Sequence, residues 1–137
     1  MPILVPVLSA FEKDPYFIDN ICANSDALIL ISVIDAEAMP GRFGFAANEI
    51  RQASNTLEIM ENRLREKNKP VKTIEEWGST VTKIDHAAQL YHTSEIRLLE
   101  QKNRFFEELV RELMGKGHTV TIVPLPITLV PKKESLL

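Results

Sequence analysis

The side chains best suited to chemistry are few and scattered. His86, His92 and His118 are the only imidazoles. The first two are six residues apart, on different faces of a helix, rather than at the i, i+4 spacing by which two imidazoles share a zinc ion. Cys22 is the single cysteine, so neither an internal disulfide nor a Cys-rich zinc site can form. A thiol becomes a nucleophile beside a base, and none neighbours Cys22, which reads as a small hydrophobe on the apolar face of a short helix. No metal, cofactor or catalytic residue is expected. Gly41-Arg-Phe-Gly44 offers Arg42 and backbone N–H groups to a phosphate, but lacks the G-x-G-x-x-G spacing of a dinucleotide loop. A plain turn with an exposed arginine is the simpler account. Gly115-Lys-Gly-His118 closes a helix instead of opening one, and so reads as a C-terminal cap. Ser79 and Thr80 follow Gly78 at the start of a helix, where a hydroxyl caps the backbone or helps to hold an anion. Capping is the preferred reading.

The scaffold for these groups is one domain's worth of chain. It has 137 residues, enough to bury a core without disulfides or metals. Sixteen Lys and Arg against nineteen Asp and Glu give a net charge of −3. That excludes a generally basic nucleic-acid-binding surface, and Lys102 and Arg104 are too few to make a local one. The longest apolar run, Ala27 to Ile31, is far short of a membrane span. The N-terminal stretch lacks the charged and apolar regions of a signal peptide. A cytoplasmic protein with neither a nucleic-acid nor a membrane partner is expected.

Ile3 to Val7 and Ala27 to Ile34 are continuous apolar runs, the pattern of strands buried on both faces of a parallel sheet. Between them Asp14-Pro15 opens a short helix carrying Phe17, Ile18, Ile21 and Cys22. A loop from Ala36 to Gly44 leads to a long helix with Ile50, Ala53, Leu57, Met60 and Leu64 on one face. Val71 to Trp77 alternates like an edge strand, and the next helix bears Val81, Ile84, Ala87, Ala88 and Tyr91. Thr93-Ser94 then permits a strand over Glu95 to Leu99. The rival, one helix from Thr80 to Met114, would run to about 35 residues against a mean of roughly 11–12. Phe105, Phe106, Leu109, Val110 and Leu113 form a helical stripe, and Thr119 to Val123 is a last strand stopped by Pro124. The β-α-β-α-β-α-β-α-β order predicts a doubly wound parallel α/β sheet with helices on both faces. Residues 1–126 are read as one domain and 127–137 as a tail.

Four segments in register resemble the universal stress protein family. Ile3-Leu-Val-Pro-Val7 is similar to its first strand, and Ser32-Val-Ile-Asp35 to the end of its second. Gly78 with Ile84 is similar to its G-D-P-x-x-x-I turn, and Val120-Thr-Ile-Val-Pro124 to its last strand. The resemblance implies five strands in the order 3-2-1-4-5 and a dimer joined through the fifth strand. It also has conspicuous departures. ATP-binding members carry Asp after the first strand, where this chain has Leu8. They carry G-x2-G-x9-G-S/T after the fourth, where Glu100 and Asn103 stand at the first two glycines and Arg104 at the family's arginine. No glycine occurs between Gly78 and Gly115. Glycines there let backbone N–H groups approach phosphate oxygens, so ATP binding in the family's manner is not expected.

Ligands of such sheets bind outside the carboxyl ends of the strands, where strand order reverses. On the implied order that crevice lies between the first and fourth strands. It would gather Ser9, Asp35, Gly78, Ser79, Gln101 and Lys102, with Arg42 and Arg104 nearby. The function expected is a regulatory or interaction module with an unidentified protein partner or small anionic ligand. The alternative is a nucleotide- or phosphate-binding switch, or a hydrolase, using the altered crevice. Thr119, Val120, Thr121, Ile122 and Val123 should form an edge strand paired with a second copy of the chain. Ile127 and Leu129 of the tail should lie on that copy.

Overall fold

The computed structural model describes residues 1–35 and 43–125, the side chains of 43–49 excepted. Arg42, Ile127 and Leu129 lie outside them. Five strands alternate with four α-helices: β1 (Ile3–Pro6), α1 (Pro15–Ala23), β2 (Leu28–Ile34), α2 (Phe43–Glu66), β3 (Val71–Trp77), α3 (Thr80–Leu90), β4 (Glu95–Leu99), α4 (Arg104–Gly115) and β5 (Val120–Val123). The sheet is parallel throughout, in the order β3-β2-β1-β4-β5. Ile3 sits between Leu28 and Glu95, which sets the register of the central strands.

Alternation along the strands sends side chains to two cores. Ile3, Val5 and Val7 of the β1 segment and Leu28 and Leu30 of β2 pack under α1 and α2, against Phe17, Ile18, Ile21, Leu57, Met60 and Leu64. Leu4, Ile29, Ile31, Ile96 and Leu98 face the other way, against Ile84 of α3 and Phe106, Leu109 and Leu113 of α4. Both faces of β1 and β2 are therefore dry, which is why these strands read as apolar runs, whereas β4 carries Glu95 and Arg97, paired with each other at 3.0 Å. β3 pairs with β2 alone, and its exposed Lys72, Glu75 and Trp77 fit an edge strand.

The break before β4 has a clear physical cause. Tyr91 closes α3, His92 takes a left-handed φ of 51°, and Ser94 N–H bonds to the Pro2 carbonyl at 2.9 Å, steering the chain into the sheet. Four details depart from the sequence reading. The α2 backbone starts at Phe43, so Gly44 belongs to the helix and not to the loop; one glycine in a long helix is a cost of about 1 kcal/mol, not a stop. A 3-10 turn, Ala10–Lys13, links β1 to α1. β5 begins at Val120, because Thr119 contributes only its carbonyl, accepting the Ile96 N–H at 2.8 Å. Phe105 leaves the apolar stripe of α4 and is 42% exposed. Asn103 sets the start of that helix, and the stripe proper begins at Phe106.

Candidate ligand cleft

A cleft of about 510 Å³ opens at the carboxyl ends of β1 and β2. Its described walls are Val7 to Ala10 past β1, Ser32 to Asp35 closing β2, Gln52, Ala53 and Thr56 of α2, and Thr80 and Phe105 from the starts of α3 and α4. The sheet places it where ligands of such folds bind, displaced from the β1–β4 crevice toward β2.

Ser9 is the residue on which most of the local structure converges. It caps the 3-10 turn by accepting the Phe11 N–H at 3.1 Å. Its own N–H and hydroxyl both donate to the Glu12 carboxyl, which also takes the Leu8 N–H at 2.8 Å. The Gln101 side-chain amide, from the connection between β4 and α4, donates to Ser9 Oγ at 3.3 Å and to the Leu99 carbonyl at 3.2 Å. Glu12 itself is fully buried. Removal from water raises its pKa to about 7, against the opposing effect of the hydrogen bonds from Ser9 and Leu8. Ser9-Ala-Phe-Glu12 has the S-x-x-E spacing of a capping box. That spacing is the signal by which the sequence marks Glu12.

Asp35 reaches across from the end of β2. Its carboxylate accepts the Thr80 N–H at 3.1 Å and the Thr80 hydroxyl at 3.3 Å. The N-terminus of α3, beside Ser79, thus already holds a carboxylate of the chain's own. Ser79 is the N-cap of that helix and accepts from Thr82 N–H at 3.5 Å. Gly78 N–H donates to the Ile34 carbonyl at 3.1 Å and sits at φ +141°, so the turn depends on glycine. Thr56, buried on α2, returns its hydroxyl to the Gln52 carbonyl at 2.9 Å.

The link from β4 to α4 is only Glu100 to Asn103. Asn103 caps α4 through Phe106 N–H at 2.8 Å, Glu100 accepts Leu125 N–H at 3.4 Å, and Lys102 pairs with Glu100 at 3.6 Å. Arg104 pairs with Glu108 at 3.3 Å on the surface of α4. The structure therefore brings Ser9 and Asp35 into one cleft and ties Gln101 to Ser9. Gly78, Ser79, Lys102 and Arg104 are not among its described walls. Sequence reasoning missed Glu12, the buried partner of Ser9, and Ser32 and Thr56, buried polar walls of the cleft, and placed Phe105 in the core. Ser32 and Thr56 lie inside apolar patterns that carry no chemical signature.

Elsewhere, His118 Nε2 meets Asp85 Oδ1 at 2.6 Å, a contact that holds the Asp85 pKa below its usual value, with Gln89 assisting. Burial raises the Cys22 thiol above its ordinary value. Among the described residues, no three His, Cys, Asp or Glu side chains gather as metal ligands, and no helix is long and apolar enough to cross a membrane.

A five-stranded parallel sheet in this order, with two helices on each face and a cleft at the carboxyl ends of its strands, defines a doubly wound α/β protein. Among solved structures, that of a universal stress protein family member from Burkholderia pseudomallei superposes with a TM-score of 0.65 at 17% identity, covering 90% of this chain and 96% of that one. Universal stress protein UspA from Lactobacillus plantarum gives 0.60 at 17%, covering 92% and 97%. The hypothetical protein MJ0577, the subject of a structure-based assignment of biochemical function, gives 0.70 at 19%, covering 91% and 96%. No protein-family model matches the chain, and no curated protein matches it by sequence. The chain has the universal stress protein fold.

Proposed function

We propose that the chain is a universal stress protein-like regulatory or interaction module that acts by binding and does not take ATP in the family's manner. The observation that carries this reading is the connection between β4 and α4. Glu100 to Asn103 supply no glycine, and their polar side chains are committed to Leu125, Lys102 and the α4 cap. A phosphate chain laid there would meet the Glu100 carboxylate where the family's loop offers backbone N–H groups. Ser9 Oγ donates one hydrogen bond and accepts two, the full capacity of a hydroxyl. The test is calorimetric titration of the full chain with ATP and with AMP. Absence of heat at micromolar nucleotide is expected, and tight binding of either would overturn the reading.

The second part of the proposal is a homodimer through β5. That strand pairs with β4 on one side and is the last of the sheet on the other, and Ile122 is 42% exposed on it. An open edge with an apolar side chain is a template for a second strand, and a two-fold pair of β5 strands would cover both.

A further inference from the structure

The geometry points to Glu12 as a proton-operated latch that decides whether Ser9 holds Gln101 or turns its hydroxyl to the cleft. This concerns regulation of the cleft proposed above and rests on that reading only for what is regulated.

The inference follows from counting hydrogen-bonding capacity. A serine oxygen has one proton to give and two lone pairs to fill. With Glu12 ionised, Ser9 gives its proton to the carboxylate, and its lone pairs take Phe11 N–H at 3.1 Å and the Gln101 amide at 3.3 Å. Nothing on that oxygen is left for a ligand. When Glu12 gains a proton, its O–H donates to Ser9 Oγ, so the Ser9–Glu12 hydrogen bond reverses direction. Three donors then compete for two lone pairs. Phe11 N–H is fixed by the backbone of the turn, whereas Gln101 already has a second acceptor in the Leu99 carbonyl at 3.2 Å. Gln101 is therefore the partner released. The Ser9 hydroxyl proton, no longer drawn to Glu12, turns toward the cleft that Ser9 lines.

The surroundings suit a latch that works near neutral pH. Burial raises the Glu12 pKa to about 7, and its opposing influences are all hydrogen bonds. Lys13 ends the turn and Asp14 follows it, capping α1 through Tyr16 N–H. Arg63 of α2 donates to the Lys13 carbonyl at 3.0 Å. Glu100 and Lys102, beside Gln101, pair with each other at 3.6 Å. Asp35 across the cleft holds Thr80.

The experiment is an NMR titration of the labelled full chain from about pH 5 to about pH 9, following the Glu12 carboxyl carbon and the Gln101 side-chain amide together. Both are expected to move with one shared midpoint near pH 7. In Ser9→Ala the Gln101 signals should lose that transition while Glu12 still titrates. A Glu12 midpoint in the ordinary carboxylate range, or a Gln101 amide that stays flat through the Glu12 transition, overturns the latch. So does a Gln101 transition that persists in Ser9→Ala. Nucleotide binding enters none of these readouts, so failure of the latch and failure of the ligand reading are separate results.

Discussion

Stability of the fold should fall as pH rises through the range in which Glu12 ionises. Its pKa is raised by burial from 4.5 in an exposed chain to about 7 in the folded protein. Between those values the folded state holds a proton that the unfolded state has lost. A native state that binds more protons is stabilised by acid, so this group's contribution is fully present below 4.5 and is lost as pH climbs through 7. At 1.36 kcal/mol per pKa unit, that separation is worth ~3 kcal/mol in all, most of it between about pH 5 and about pH 8. Other carboxylates and histidines titrate in the same window, so the quantity to read is a difference. Urea unfolding of wild type and Glu12→Gln across the range isolates it. The glutamine variant leaves one of the Leu8, Ser9 or hydroxyl donors facing an amide NH2, a cost of about 1–3 kcal/mol at every pH. The wild type should therefore be clearly the more stable protein at pH 5 and lose ~2–3 kcal/mol of that advantage by pH 8. Parallel pH profiles for the two proteins would refute the reasoning, because they would mean that Glu12 has the same proton affinity folded and unfolded.

Other expectations follow from single contacts. Leu30→Ala, at a fully buried position of β2, should cost about 2–5 kcal/mol in urea unfolding. Gly78→Ala forces a Cβ into φ +141° with Lys83 Cε 3.1 Å away, so a loss of more than ~1 kcal/mol is expected in thermal melts. Asp35→Ala removes the acceptor at the start of α3 and should weaken the fold by about 1 kcal/mol, with faster amide exchange at Thr80. Ile122→Glu places a charge on the open edge of β5, and sedimentation should show association of the proposed dimer weakened by about tenfold or more. An unchanged dimer would move the interface elsewhere.

The layout of the fold was legible because each strand and helix announces itself by period. β1 and β2 are continuous apolar runs with helices on both faces, and the charged, alternating β3 marks itself as an edge. The length of β4 was read correctly from the Thr93-Ser94 break, and Ser94 does turn the chain by bonding to Pro2. Strand order came from resemblance alone, since no local pattern tells β1 that β4 lies beside it. The cleft was legible only in part. Ser9 and Asp35 stand at strand ends, where topology gathers polar groups. Glu12 was passed over because a glutamate in a short turn looks solvated. Its burial arises from the packing of α2 over that turn, a contact between residues some fifty positions apart, such as Arg63 with Lys13.

If this stress protein-like fold works without the family's phosphate loop, the connection between β4 and α4 is where that shows. Amide spectra of the labelled chain, recorded as ATP is added, report on that segment directly. The N–H signals of Glu100 to Arg104 and of Phe106 are expected to stay in place up to millimolar nucleotide. Saturable movement of those signals at micromolar ATP would contradict it, because backbone N–H groups there would then be serving the phosphates after all.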